Sequence, residues 1–183
     1  MDLSQIPIGK APPKDVYVII EIPQGGVPVK YETNKQAGAL FVDRFLHTAM
    51  YYPGNYGFVP HTLAEDGDPI DAIIVTQAAL VPGCVVRCRP VGVLRMEDEA
   101  GPDEKLLMVP VDKLHPFYSG IQTHVDLPQI LRDQIAHFFQ HYKDLEKGKM
   151  VKNIRWEGPD SAEALILGAM SRESAARDAK LRG

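Results

Sequence analysis

The hydrophobic period of this chain changes once, near residue 127, and that change bounds what it can fold into. Upstream, apolar residues gather in short extended runs at 16–22, 27–32, 40–45, 72–75, 85–94 and 106–111, separated by Gly, Pro and polar clusters. Runs of that length, several of them rich in Val and Ile, are read as strands. Pro90 and Gly92 predict a kink in the longest of them. Downstream, Leu127, Leu131, Ile135, Phe138, Tyr142 and Leu145 recur at helical spacing. Leu127 and Pro128 suit the start of that helix and Gly148 its end. A second helix is expected over 160–181, with Asp160 and Glu163 as a capping box and Leu165, Ile166, Ala169 and Met170 as its apolar face. Its last part is strongly charged and is expected to fray. Residues 1–15, with Pro7, Gly9, Pro12 and Pro13, read as an extended arm. Five to seven short strands followed by two helices predict an α+β fold, a small closed barrel with the helices packed outside. At 183 residues, with no repeat or linker, the chain is expected to be a single domain over 1–183.

Bulk charge narrows the function classes. The net charge is -4, a poor match for a nucleic-acid binder, which normally carries a basic excess. No stretch approaches the ~20 apolar residues of a membrane span. Met1 to Gln5 lacks the basic-then-apolar order of a signal peptide. Cys84 and Cys88 lie four apart in an extended run, too close to bridge comfortably and without a second pair for zinc. Reduced thiols in a cytoplasmic protein are the expectation.

Three early strands carry a charge where an apolar residue is expected. Two-residue alternation places Glu21 on a face with Tyr17 and Ile19, sets Lys30 beside Glu32, and puts Arg44 inside an apolar run. Each has a plain explanation, such as a strand-end Glu in solvent or a surface pair worth under ~1 kcal/mol. The recurrence is harder to dismiss. Residues 66–71, Asp66-Gly67-Asp68-Pro69-Ile70-Asp71, add three carboxylates between an aromatic stretch (Tyr51, Tyr52, Tyr56) and a buried strand. Asp-Gly and Asp-Pro are ordinary turn dipeptides. Anionic oxygens fixed at the edge of a rigid strand are also what a hard cation such as Mg2+ needs. An EF-hand is excluded: with Asp66 as first position, the sixth is Asp71 instead of Gly and the twelfth is Gln77 instead of Glu. A second acidic stretch, 96–105, holds Asp98, Asp103 and Lys105 and reads as a solvated hairpin tip or as a second ligand loop. His137 and His141 have no evident partner for zinc; with Ile130 and Gln134 they form a flank expected to pack on another subunit.

Together these stretches supply the carboxylates Glu21, Glu32, Asp66, Asp68, Asp71, Asp98 and Asp103. They also supply Lys30, Arg44, Lys105 and Lys143, and the phenols Tyr52, Tyr56 and Tyr142. So many carboxylates cannot bind phosphate directly. They can hold several Mg2+ ions, which with the basic side chains would bind a highly anionic substrate. Divalent ions lower the pKa of a bound water from ~15.7 toward neutrality, and a nearby carboxylate can take its proton. Lys, Arg and Tyr can hold phosphoryl oxygens. No Walker loop, kinase signature or Ser-His-Asp pattern is present. A small bare polyphosphate is the expected substrate.

With these residues in place, the chain resembles the soluble family I inorganic pyrophosphatases in their bacterial form. The likeness runs from about residue 19 to residue 155. Asp66-Gly67-Asp68-Pro69-Ile70-Asp71-Ala72 fits the signature D-x-D-P-x-D. Glu21-Ile22-Pro23, Lys30-Tyr31-Glu32, Phe41-Val42-Asp43-Arg44, Tyr52-Pro53 with Asn55-Tyr56-Gly57, Asp98-Glu99-Ala100-Gly101 and His141-Tyr142-Lys143 match in order. The resemblance implies a five-stranded OB-like barrel and Mg2+-dependent hydrolysis of pyrophosphate to two phosphates by a metal-activated water. It implies that Asp68 is the general base and that Tyr56 lies near the nucleophile and leaving group. Asp66, Asp71 and Asp103 would hold one metal, Asp71 shared with a second, and Asp98 and Asp103 would serve ions arriving with substrate. Glu21 and Glu32 would complete the metal set through water, Glu32 and Tyr56 also bordering the substrate. Lys30, Arg44, Lys105, Tyr142 and Lys143 would contact phosphate. Bacterial members are usually homohexamers, in keeping with the helix flank. Met150 stands where the family often has Trp. Two other classes stay open: an OB-fold binding module and a metal-dependent nucleotide hydrolase.

Overall fold

The computed structural model describes residues 2–182. Its strands are β1 (Gly9–Ala11), β2 (Asp15–Ile22), β3 (Val29–Asn34), β4 (Ala39–Phe45), β5 (Asn55–Phe58), β6 (Asp71–Ile74), β7 (Val85–Asp98), β8 (Gly101–Pro110) and β9 (Val151–Glu157). The helices are α1 (Gln129–His141) and α2 (Pro159–Arg182). Seven strands share one sheet in the order β1-β2-β5-β6-β8-β7-β9, and a further pairing of β2 with β7 closes β2, β5, β6, β8 and β7 into a ring. All ring pairings are antiparallel except β6 with β8. β3 and β4 form a separate ribbon. The α+β architecture with a five-strand ring and two helices is the one the change of period predicts. No helix among the described residues is long and apolar enough to cross a membrane.

The ring closes because its strands are apolar on both faces. Ile73 on β6, Leu107 and Val109 on β8 and Leu94 on β7 meet Ile135, Phe138 and Phe139 of α1 in one cluster. Their alternating neighbours Ala72, Ile74, Leu106, Met108 and Val93 meet Ala162, Ile166 and Ala169 of α2 in another. A strand buried on both sides reads as a near-continuous apolar run, as 72–75 and 106–111 do. The kink expected in the long strand is present as a register shift between Pro90 and Gly92.

Several boundaries differ from expectation. α1 ends at His141, and residues 142–150 turn back on themselves through bonds such as Glu146 N–H to the Lys143 carbonyl at 2.8 Å. The apolar stripe therefore ends at Tyr142, and Leu145 is 71% exposed. The chain leaves the helical path where Lys143 reaches across to Asp98. β9 was not expected, because Lys152, Arg155 and Glu157 break any apolar run; it is an outer strand on β7 that packs Ile154 and Trp156 inward. β5 was hidden in the aromatic stretch. Most of the second acidic stretch is strand, since β7 runs to Asp98 and β8 begins at Gly101. The ribbon residues Phe41, Val42 and Phe45 are exposed. The arm contains β1, and α2 begins at Pro159.

At the β2–β5 pairing the backbones touch. A Cβ on Gly57 would lie 1.9 Å from the Ile19 carbonyl oxygen. Gly57→Ala is expected to lose at least about 2 kcal/mol, because a rigid strand backbone cannot yield. Gly120→Ala, with nothing within 4 Å of the added carbon, should stay within about 0.5 kcal/mol. Urea titration of both variants checks this.

Candidate active site

One cleft of about 420 Å³ is lined by all but one of the residues that the sequence nominates for metal, base or substrate: Glu21, Lys30, Glu32, Arg44, Tyr56, Asp66, Asp68, Asp71, Asp98, Asp103, Lys105, Tyr142 and Lys143. They arrive from β2, the ribbon, β5, the loop before β6, the β7–β8 hairpin and the turns after α1. Tyr52, also nominated, does not line it. Its ring is buried behind the cleft, 5.5 Å from Tyr56 and 4.7 Å from Phe138.

Parallel pairing of β6 and β8 sets Asp71 opposite Lys105. Two-residue alternation then brings Asp103 to the same side of β8. Lys105 Nζ donates to Asp71 Oδ2 at 2.5 Å and to Asp103 Oδ1 at 2.7 Å. Burial favours the neutral amine of Lys105, but the two carboxylates outweigh it and hold the pKa well above the ordinary value. Lys105 also lies 5.9 Å from the centre of the Tyr56 ring. Burial raises the Tyr56 phenol well above its usual pKa, so the hydroxyl stays protonated.

The ribbon contributes a second group. Lys30 and Arg44 are register partners on β3 and β4, an arrangement that repels unless an anion is shared. Asp43 is that anion, 2.8 Å from Arg44 Nη1 and 3.6 Å from Lys30 Nζ. Lys30 also bonds Glu32, and Glu146 lies 3.3 Å from Arg44 Nε. The ribbon is tied to the ring through Glu21, which accepts the Thr33 N–H at 2.6 Å. Glu21 is buried, and burial lifts its pKa to about 7 against the hydrogen bond from Thr33.

The third group joins the β7–β8 hairpin to the turns after α1. Lys143 Nζ binds Asp98 Oδ2 at 2.8 Å and lies 3.6 Å from Glu99. Lys149 Nζ binds Glu99 at 2.5 Å. Burial opposes the Asp98 charge, but Lys143 and the Ala100 N–H hold its pKa below the usual carboxylate value. In the loop before β6, Asp66 accepts the Asp68 N–H at 3.0 Å and Gly67 has φ +94°. Residues 66–68 are thus an ordinary turn and part of the cleft at once: the turn holds both side chains at its rim.

Lys35, Glu99 and Lys149 also line the cleft and were not singled out. Lys35 sits in a polar turn whose composition reads as solvent-exposed. Glu99 sits at a hairpin tip, and Lys149 follows a Gly at an expected helix end. Only their pairing across the fold gives them meaning, and spacing along the chain does not carry that.

The sequence model of the family described as inorganic pyrophosphatase matches residues 18–174. An inorganic pyrophosphatase of Caulobacter vibrioides is 63% identical over 172 residues, covering 94% of this chain and 97% of that one. The fold superposes on an inorganic pyrophosphatase structure from Thermus thermophilus with TM-score 0.89, at 40% identity, covering 95% and 99% of the two chains. A structure described as an inorganic phosphatase of Anaplasma phagocytophilum gives TM-score 0.90 at 47% identity, covering 93% and 99%. The chain belongs to the inorganic pyrophosphatase family.

That family typically uses divalent metals, and the donors here are of the right chemistry: carboxylate oxygens, the ligands of hard cations. Among the described residues no three acid groups converge on a common point as they stand. Asp71 and Asp103 converge instead on the Lys105 ammonium, so a cation position between them already exists. Glu21 is a buried carboxylate facing Asp71 and Glu32, with no cation paired to it among the described residues, and a divalent ion nearby would compensate that charge. Removing the ammonium should expose the strain. In chelator, Lys105→Met is expected to lose about 2–4 kcal/mol, below the full cost of breaking a buried pair because Asp71 stays partly exposed. Thermal unfolding against the unaltered protein measures it.

Proposed function

We propose that this chain hydrolyses inorganic pyrophosphate to two phosphates with several Mg2+ ions per site, residues 1–183 acting as one domain. The observation that carries the reading is the convergence of seven carboxylates and four basic side chains, named in the sequence, on a single cleft. Asp66, Asp71, Asp98 and Asp103 would hold the ions, with Glu21 and Glu32 acting more remotely. Bound Mg2+ would supply positive charge for the phosphoryl oxygens and acidify the attacking water. Asp68 takes that water's proton. It suits the task because its carboxylate is exposed at the cleft rim and, among the described residues, bonded only to Lys35, whereas Asp71 and Asp103 are committed to Lys105. Lys30, Arg44, Lys105 and Lys143 bind the phosphoryl oxygens, each exchanging part of its present carboxylate contact for phosphate. Tyr56 and Tyr142, whose hydroxyls are donors, orient the substrate beside Glu32, Tyr56 toward the nucleophile and leaving group.

A cytoplasmic setting fits the free thiols Cys84 and Cys88. A homohexamer fits the exposed Ile130 and Tyr51 beside an apolar groove that includes Gln134 and His137. Light scattering with and without Mg2+ should give six times the monomer mass; a monomer in both would remove that part of the reading.

Phosphate release from pyrophosphate, ATP and an oligonucleotide in Mg2+ tests the substrate. Turnover on pyrophosphate should far exceed the others, and equal activity on ATP would favour a nucleotide hydrolase. Asp68→Asn should keep the unfolding midpoint and Mg2+ affinity while kcat drops roughly 10²–10⁴-fold, the usual contribution of a general base. Near-normal turnover in that variant would remove Asp68 from the role.

A further inference from the structure

Among the described residues, the basic side chains of the cleft differ in how firmly they are anchored. Lys105 is buried between Asp71 and Asp103, Lys143 lies between Asp98 and Glu99, and Lys30 and Arg44 share Asp43 with Glu32 and Glu146 on their outer sides. Lys149 is held by Glu99, whose other carboxylate oxygen lies 3.5 Å from the Met150 N–H. Among the described residues Lys35, like Lys149, has a single carboxylate partner, but here both members of the pair are exposed: its Nζ lies 3.1 Å from Asp68 Oδ1. It projects from the turn of the ribbon, outside the ring, yet it lines the cleft.

We propose that Lys35 is a substrate-binding residue that exchanges Asp68 for the incoming anion. The inference rests on the reading of Asp68 as the base. Three features support it. An exposed ion pair contributes little to stability, so the pair is inexpensive to break. A long, flexible ammonium rehydrates and moves readily. A polyphosphate presents several anionic oxygens where Asp68 presents one carboxylate, so the exchange favours the substrate. The move also clears a cation from Asp68 as substrate arrives. The substrate class is a small, bare polyphosphate, the anion dense enough to draw the ammonium away. A structural role for Lys35 would leave substrate affinity alone.

Lys35→Met and Lys35→Arg test this on the full chain in Mg2+. Lys35→Met is expected to raise KM for pyrophosphate roughly tenfold, the low end for a charge-assisted hydrogen bond. Its affinity for methylenediphosphonate, measured by calorimetry, should fall by the same factor, while kcat stays within about twofold because the base is untouched. Lys35→Arg should restore most of both. KM and analogue affinity unchanged in Lys35→Met would overturn the assignment, and so would a loss of kcat at constant KM, which would mean that Lys35 acts on Asp68 alone. If the unaltered protein released no phosphate from pyrophosphate, the reading of the active site would fail separately, and the calorimetric comparison would still decide whether Lys35 binds the anion.

Discussion

The placement of one ammonium between two carboxylates organises this molecule. Lys105 meets Asp71 because β6 and β8 run parallel in the register Asp71 to Lys105, and it meets Asp103 by alternation along β8. That register is set by the residues that follow: Ala72, Ile73 and Ile74 opposite Leu106, Leu107 and Met108, all buried. A slip of one residue would turn Lys105 into an apolar cluster and bring Leu106 to the cleft. The hydrophobic pattern thus fixes the chemistry at its edge. The same side chains that close the ring hold the charged ones at its rim, where the strands emerge.

The rim is built on compensation. Seven nominated carboxylates share one cleft, and burial raises the pKa of Glu21, which has no cation paired to it among the described residues. Lysines answer Glu32, Asp68, Asp71, Asp98 and Asp103. The pairings leave each cation with anions to exchange, so a polyphosphate with its metals can replace internal contacts by external ones of the same kind. Two cations facing each other on the ribbon, Lys30 and Arg44, make little sense as a stability device. As a holder of anions they do.

Most of the ring and most of the nominated cleft were legible in the sequence. A charge inside a run that reads as an apolar strand, such as Glu21 or Arg44, stands out against its surroundings, and Asp71 and Lys105 belong to acidic stretches set beside apolar runs. The polar elements were not legible. β9 carries Lys152 and Arg155 and looks like a loop, and just past the end of α1 at His141 Lys143 pairs with Asp98, 45 residues away in sequence, a contact that spacing along the chain does not carry. Tyr52 erred in the other direction. A tyrosine near a site is as well suited to packing as to chemistry, and here its ring packs against Phe138. Lys35 and Lys149 lie where polar residues are expected, so nothing local marks them.

The division between ring and attachments has a functional consequence. Asp71 and Asp103 sit on ring strands with buried neighbours. The basic groups of the cleft sit mostly outside it: Lys30, Lys35 and Arg44 on the ribbon, and Lys143 and Lys149 on the turns after α1. These parts are joined to the ring's strands and to each other by hydrogen bonds and ion pairs, among them Thr33 to Glu21, Lys35 to Asp68, Arg44 to Glu146, Lys143 to Asp98 and Lys149 to Glu99. A rigid set of oxygen ligands keeps the geometry that hard cations require. On the proposed reading, the ligands for metal belong to the ring and most groups for phosphate to the elements attached to it, so the ion pairs that join the two would be the contacts that substrate binding rearranges.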